Sequence, residues 1–203
     1  MRFVLSDLDG VLVDSGAAVE RVWRDWALEL GLDPEEVGRA THGVPSRQVI
    51  ERVAPHLDAV AEAERVDRLH AETGGTALPG ARELIEAAAA VVTSCSVPLA
   101  RARLRAAGLP EHAVMITSEL TERGKPHPDP YLAAAAALGV DPADCIVIED
   151  SPAGIAAARA AGMTAWAVAT THAAHELEDA DRVEPDAAGY KMPISDLSPT
   201  MNR

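Results

Sequence analysis

The chain has 203 residues, 48% of them hydrophobic, and it carries a formal net charge of −14 at pH 7. This length allows one full hydrophobic core, or one core with a small second unit. The negative charge repels nucleic acid and anionic membranes, and no apolar run approaches the ~18 residues of a membrane span. Two aspartates in the first ten residues also exclude the apolar region of a signal peptide. We therefore expect a cytoplasmic monomer that binds neither nucleic acid nor membranes.

Short apolar runs alternate with alanine-rich stretches along most of the chain. We predict buried parallel strands at "RFVLS" (2–6), "AVVTS" (90–94), "VMIT" (114–117), "CIVIE" (145–149) and "TAWAV" (164–168), because these runs are apolar throughout. Three of the intervening stretches have a proline near the start and a glycine just past the end, which is typical of helices. The repeated order of strand and helix predicts an α/β fold with a parallel sheet.

Residues 15–76 interrupt this alternation, since they show helical patterns and no convincing strand. Further helices are predicted over 46–54 and 59–73, and Trp23 and Trp26 are at the spacing of one helical face, which is typical of a core. We predict a helical cap domain of residues 15–77. It would be inserted between two parts of an α/β core, residues 1–14 and 78–203.

Polar side chains follow the ends of four predicted strands. In open parallel sheets, ligands bind outside the carboxyl ends of the strands. The residues expected to share that rim are Asp7, Asp9, Thr93, Ser94, Lys125, Glu149 and Asp150.

Negative charges crowd this rim, and like charges at close range repel. Asp7 and Asp9 point to the same side as the chain leaves the first strand, and Asp150 joins them. A divalent cation converts such repulsion into coordination. Because its ligands are hard oxygens, Mg²⁺ is the cofactor that we predict.

Four segments, "DLDGVLVDS", "VVTS", "GKPHPDPY" and "IVIEDSPAGIAAARAAGM", resemble in order and spacing the four motifs of the haloacid dehalogenase (HAD) superfamily, in its members with a helical cap after strand one. The resemblance extends from residue 1 to about residue 185. Within the superfamily, "AVERVWRDWALELGL", "HGVPSRQVIERVAP", "LPGARELIEAA" and "VTSCS" are most similar to phosphatases of small sugar and polyol phosphates, the 2-deoxyglucose-6-phosphate and glycerol-phosphate branch. The resemblance to the superfamily implies an α/β fold, with a HAD-like Rossmannoid parallel sheet as the core and a small α-helical cap.

The resemblance also implies catalytic roles. Asp7 is expected to be the nucleophile that forms an aspartyl-phosphate, and Asp9 the acid for the leaving alcohol and then the base for the attacking water. Thr93 and Ser94 would hold phosphate oxygens, and Lys125 would neutralise Asp7 and the phosphate. The expected reaction is the hydrolysis of a small phosphorylated metabolite.

The metal site follows from the same resemblance. Mg²⁺ is expected between Asp7, the backbone carbonyl of Asp9 and Asp150. Glu149 would lie nearby or coordinate the metal through water. The metal would neutralise charge on the transferring phosphoryl group.

Specificity is expected in the cap loop "HGVPSR", where capped members of the superfamily reach onto the substrate. His42, Gly43 and Arg47 are the residues that we predict to contact substrate there, with an ordinary surface loop as the alternative. The sugar-phosphatase branch more often has an arginine directly after the glycine, where this chain has Val44. That departure leaves the identity of the substrate open.

Three other functions are alternatives to a phosphatase. A β-phosphoglucomutase uses the same core and a loop similar to "HGVPSR", but the histidine expected in its first cap helix is missing at "AAVER". A dehalogenase needs no Mg²⁺ and lacks the second aspartate, which is present here as Asp9. A non-catalytic module that binds a phosphorylated ligand does not need the intact set of Asp7, Asp9, Lys125 and Asp150.

Overall fold

The computed structural model describes residues 2–41 and 44–190. Within these residues the central sheet consists of β1 (Phe3–Ser6), β4 (Ala90–Val92), β5 (Met115–Ile116), β6 (Cys145–Glu149), β7 (Thr164–Val168) and β8 (Arg182–Glu184). The strand order is β5-β4-β1-β6-β7-β8, and every neighbouring pair is parallel. The predicted α/β fold with a parallel sheet is confirmed, and so are its five predicted strands.

Both faces of the sheet are buried, which explains why the strands are apolar throughout. Successive strand residues point to opposite faces, so Val4 and Ile146 belong to one apolar cluster while Leu5 and Val147 belong to another. In the central sheet, the sequence analysis did not predict β8, which lies at the edge. Its residues "RVE" are exposed or half-buried, so no apolar run marks it.

Four helices pack on the sheet within the core: α5 (Ala81–Ala87), α6 (Val97–Ala106), α7 (Asp129–Leu138) and α8 (Pro152–Ala160). Of these, α6, α7 and α8 begin with a proline in the first turn. The helix α8 is capped by the Ser151 side chain, which accepts a hydrogen bond from the Gly154 N–H. These start signals are those from which the sequence predicted the helices.

The remaining helices form the insertion: α1 (Gly16–Glu29), α2 (Pro34–Arg39), α3 (Ser46–Val53) and α4 (Ala59–Thr73). They bury an apolar cluster of their own, which contains Trp23, Trp26, Ile50 and Val66. This confirms that the two tryptophans are core residues of the insertion. The predicted domain boundaries at residues 15 and 77 stay a prediction.

The chain leaves and re-enters the core through a short antiparallel ribbon. Its strands are β2 (Val13–Asp14) and β3 (Thr76–Ala77), with Val13 opposite Ala77. The sequence predicted the two boundaries of the insertion here but no strands, because two-residue strands have no periodicity to read. Among the described residues, no helix combines the length and apolarity needed to cross a bilayer.

Replacing Trp26 tests whether the stability of the insertion depends on its own apolar cluster. The indole is 2% exposed and donates a 2.9 Å hydrogen bond to Glu62. We expect Trp26→Ala to lower the free energy of unfolding by roughly 3–5 kcal/mol, the usual cost of emptying a buried aromatic site. Leu28→Ala on the same helix, where the side chain is 61% exposed, should stay within about 0.5 kcal/mol of the parent. Denaturant titration measures both values, and similar losses would contradict the assignment of Trp26 to a core.

Candidate active site

The register of the sheet brings the predicted rim residues together. Ser6 at the end of β1 lies opposite Val91 on one side and Ile148 on the other. The next residue, Asp7, donates its backbone N–H to the Ile148 carbonyl at 3.0 Å. Asp7 therefore emerges between the end of β4, where Thr93 follows, and the end of β6, which is Glu149.

The turn after Asp9 needs glycine. Gly10 has a φ of +80°, a conformation that other residues adopt only at a cost. A Cβ at this position would lie 2.1 Å from Asp150 Oδ2. The "DLDG" turn and the end of β6 thus approach each other so closely that no side chain fits between them.

Lys125 occupies the centre of this rim and is almost fully buried. Its Nζ lies 2.9 Å from Asp7 Oδ1 and 2.6 Å from Glu149 Oε1. The same nitrogen donates to the Val92 carbonyl at 3.3 Å, so all three ammonium protons have an acceptor. Although burial alone disfavours the charged form, the two carboxylates raise the pKa of Lys125 well above its usual value. Lys125 is therefore a fixed positive charge beside Asp7.

Glu149 is the residue that fixes Lys125. Its side chain is fully buried, and Oε1 accepts the Tyr131 hydroxyl at 2.7 Å besides the lysine. Oε2 accepts hydrogen bonds from the Asp150 N–H at 3.0 Å and the Ser151 hydroxyl at 3.0 Å. Burial raises the pKa of Glu149, but Lys125 and these donors outweigh it and lower the pKa overall. Its role near a metal stays a prediction, and its contacts favour a second role as the anchor of Lys125.

The acidic groups at the rim form a candidate metal site. Carboxylate oxygens of Asp7, Glu149 and Asp150 lie within 4.8 Å of one another. Burial, only partly offset by Lys125, raises the pKa of Asp7 to about 7. Burial, then the Glu149 and Asp7 carboxylates, raise the pKa of Asp150 well above its usual value. These carboxylates share one ammonium, so the residues fit a divalent cation that supplies the missing positive charge to hard oxygen ligands.

Thr93 and Ser94 follow β4 and line the cavity above Asp7. Thr93 is buried, and its hydroxyl accepts the Cys95 N–H at 3.1 Å, which closes a tight turn after the strand. This turn presents the two predicted phosphate-binding residues on the same side as Lys125, within one cavity.

That cavity has a volume of about 510 Å³, and we call it the catalytic cavity. Its floor is the rim of the sheet, and its roof includes four residues of the insertion, Val19, Trp23, Thr41 and His70. The rim thus supplies the charged groups, and the insertion supplies much of the surface around them.

Residues 170–172 after β7 also line the catalytic cavity, and the sequence analysis did not assign them to the site. The Thr171 hydroxyl donates to Asp150 Oδ2, and the Thr170 hydroxyl donates to the Gly10 carbonyl. These hydroxyls tie the Asp150 carboxylate and the "DLDG" turn to the residues that follow β7. The rule that polar residues matter at strand ends, applied to β7, would have found them.

The predicted cap residues are placed differently. His42 and Gly43 lie outside the described residues. Arg47 is on α3 with its side chain 64% exposed, and it pairs with Glu51 at 2.8 Å. It borders a second opening, of about 830 Å³, that also contains Thr93 and Ser94. Arg47 does not line the catalytic cavity, so its contact with substrate stays a prediction.

Asp9 has three partners that the sequence did not predict. Its Oδ1 accepts the Ser15 hydroxyl at 2.6 Å, and its Oδ2 accepts the Cys95 thiol at 3.0 Å. The Arg103 guanidinium lies alongside, with Nε 3.4 Å from Oδ1. These partners come from the start of α1, the loop after β4 and α6, so the contacts form only when the chain has folded.

Comparison with known proteins gives consistent results. A family model described as haloacid dehalogenase-like hydrolase matches residues 1–162. Hexitol phosphatase A of Escherichia coli (strain K12) is 44% identical over 190 residues, which cover 88% of each chain. Glycerol-1-phosphate phosphohydrolase 2 of Saccharomyces cerevisiae is 34% identical over 188 residues, which cover 82% of this chain and 74% of the yeast protein.

A solved structure shares the whole architecture. The crystal structure of CbbY from Rhodobacter sphaeroides in complex with phosphate matches with a TM-score of 0.80 and 26% sequence identity. The match covers 94% of this chain and 96% of CbbY. It therefore includes both the sheet and the helical insertion.

His70, in the roof of the cavity, is expected to make the free energy of unfolding depend on pH. Burial, then the nearby Arg103 charge, lower its pKa from 6.5 to about 4. Between these two pKa values the unfolded state binds a proton at His70 and the folded state does not. The contribution of neutral His70 to the free energy of unfolding is therefore fully present above pH 6.5 and is lost as the pH falls toward 4. We expect this residue to account for a loss of roughly 3 kcal/mol over that window.

The measurement is denaturant unfolding at several pH values between 7 and 4. His70→Gln should have a flatter pH dependence than the parent, because the titrating group is gone. His56→Gln, at an exposed position in the insertion, should keep the parent slope. If the His70 variant kept it too, His70 would not be the group that titrates.

Proposed function

The chain belongs to the haloacid dehalogenase-like hydrolase family, and on that premise we propose that it hydrolyses small sugar or polyol phosphomonoesters with Mg²⁺. The observation that carries the proposal is the buried pair of Asp7 and Lys125, 2.9 Å apart, beside Asp150 in a cavity of about 510 Å³. The names of the relatives, a hexitol phosphatase and a glycerol-1-phosphate phosphohydrolase, support the substrate class.

The first chemical step is attack by an Asp7 carboxylate oxygen on phosphorus. A bond forms between that oxygen and phosphorus while the bond from phosphorus to the alcohol oxygen breaks, which leaves an aspartyl-phosphate. Lys125 contacts Asp7 directly and keeps a positive charge there as the phosphoryl group arrives. Thr93 and Ser94 face the same cavity, where their polar groups hold the remaining phosphoryl oxygens.

Asp9 acts as the general acid in the first step and as the general base in the second. Its carboxyl gives a proton to the departing alcohol oxygen, and the resulting carboxylate takes a proton from the water that attacks the aspartyl-phosphate. That attack breaks the bond between Asp7 and phosphorus, releases inorganic phosphate and returns Asp7 and Asp9 to their starting states. The placement of Asp9 two residues after Asp7, on the same rim, supports this division of roles.

The metal would be held by the carboxylates of Asp7 and Asp150 and by the backbone carbonyl of Asp9. Mg²⁺ supplies neutralising charge to the transferring phosphoryl group when it is bound. Thr171 holds the Asp150 carboxylate by a hydrogen bond, and Gly10 leaves room for it. These contacts orient the Asp150 side chain toward the site before a ligand binds.

The alternatives differ in product. A phosphatase releases inorganic phosphate and the free alcohol, whereas a mutase returns an isomeric sugar phosphate and a binding module returns neither. Incubating the protein with a panel of sugar, polyol and nucleotide monophosphates, and measuring both phosphate release and isomer formation, separates the three. Isomer formation without net phosphate release would favour the mutase.

Removal of the metal is expected to abolish phosphate release, because Lys125 alone does not balance the carboxylates around the nucleophile. EDTA should stop the reaction, and added Mg²⁺ should restore it. Asp150→Asn removes a proposed ligand, so it should raise the Mg²⁺ concentration for half-maximal rate by at least roughly tenfold, the usual minimum for a site that loses a supporting group. Asp144→Asn, on an exposed turn before β6, is the matched control and should need no extra Mg²⁺. Full activity in EDTA would contradict the metal assignment.

The two aspartates are expected to fail differently. Asp7→Asn removes the nucleophile, so the rate should fall by at least ~10³ on every substrate and no phosphoenzyme should form. Asp9→Asn should slow an alkyl phosphate far more than p-nitrophenyl phosphate, because p-nitrophenolate leaves without a proton. Steady-state rates on both substrates measure the difference. Equal losses in the Asp9 variant would rule out its role as the acid.

A further inference from the structure

Arg103 is a buried guanidinium outside the four motifs. It lies on α6 with 1% of the residue exposed, and it lines the catalytic cavity. One nitrogen, Nη1, donates to the carbonyl of Gly74, the residue that caps the last helix of the insertion. Nε lies 3.4 Å from Asp9 Oδ1, where the opposite charges attract without the geometry of a hydrogen bond.

The packing around Arg103 does not explain why the residue is an arginine. Nε and Nη2 are buried and have no hydrogen-bond partner among the described residues. Burying a charged donor without a partner costs free energy, and an apolar side chain of similar volume is often as stable or more stable at such a position. The hydrogen bond to Gly74 uses one nitrogen of the guanidinium, and the charge of the group lies against Asp9.

The Arg103 contact completes the surroundings of Asp9. Ser15 and Cys95 each donate to one carboxylate oxygen of Asp9. These two are neutral donors, and Arg103 is the cation that the structure places against this carboxylate. When an acid gives up its proton, a negative charge develops on its carboxylate, and a preorganised cation stabilises that charge.

We propose that Arg103 is a positioning residue that acts through Asp9, holding its carboxyl where the leaving alcohol is protonated and stabilising the carboxylate that results. This inference rests on the proposed function, in which Asp9 gives a proton to the alcohol oxygen and regains one from water. It assigns to α6 a part in leaving-group departure, while Lys125 serves the phosphoryl group.

Arg103→Met, which keeps the length and removes the charge, tests the proposal. We expect turnover of an alkyl phosphate to fall roughly tenfold to a hundredfold, a part of the ~10²–10⁴ that a general acid contributes. Turnover of p-nitrophenyl phosphate should change by less than about threefold, since its leaving group needs no proton. Arg105→Met, at an exposed position on the same helix, is the control and should behave as the parent on both substrates.

A double-mutant cycle separates positioning from other roles. In the Asp9→Asn background, Arg103→Met should cause almost no further loss on the alkyl phosphate, because the group through which it acts is gone. Equal losses on both substrates would make Arg103 a phosphate ligand or a structural residue and overturn the proposal. An undiminished loss in the Asp9→Asn background would overturn it too.

Two further measurements keep the result interpretable. The thermal midpoint of Arg103→Met should stay near or above that of the parent, whereas a structural role predicts a drop. Arg103→Lys keeps the charge, so it should retain more alkyl phosphatase activity than the Met variant. If the Met variant does not fold, the Lys variant should still show a loss confined to the alkyl phosphate. Should the parent hydrolyse no phosphomonoester at all, the proposed function fails, and that outcome is distinct from a parent that is active but insensitive at Arg103.

Discussion

The buried ion cluster around Lys125 is the constraint on which the rest of the site depends. A buried ammonium is costly unless it is paired, and here Asp7 and Glu149 pair with it at 2.9 and 2.6 Å. Glu149 is itself satisfied by Tyr131 and Ser151, so the charge is anchored to α7 and to the start of α8. Asp7 is thereby held at the end of β1 by contacts that no single element provides.

Asp7 and Asp9 are two residues apart but lie in very different surroundings. The Asp7 side chain is 12% exposed and is pinned by the lysine, whereas 31% of the Asp9 side chain is exposed and its partners are two neutral donors and Arg103. A nucleophile benefits from being fixed, while a group that exchanges protons with substrate and water needs access to both. The surroundings of the two carboxylates match the roles proposed for them, since Asp7 lies inside the rim beside Lys125 and Asp9 lies against Ser15 and Arg103.

The strands, most helices and the rim residues could be predicted from the sequence because their signals are local. Apolar runs mark buried strands, and proline and glycine mark helix ends, so β6 was predicted to the residue and α8 begins with a proline of the expected kind. The partners of Asp9 could not be predicted in this way. Cys95 is 86 residues away along the chain, and Arg103 reads as one of several polar residues of an amphipathic helix. They become neighbours of the Asp9 carboxylate only when α6 packs beside the end of α4.

The catalytic cavity is divided between two units of structure, the rim of the sheet and the helical insertion. The rim supplies the charged groups that the proposed mechanism directs at the phosphoryl group, and these come from strand ends that the sheet holds in register. Much of the surface that faces the rest of the substrate comes from the insertion, including Val19 and Trp23 of α1. A change in the insertion therefore alters the organic half that fits without disturbing Asp7 or Lys125. Arg103 bonds to Gly74 at the end of the insertion and faces Asp9 on the rim. It lies where the two units meet, so its proposed role in the departure of the leaving group would couple the insertion to the chemistry.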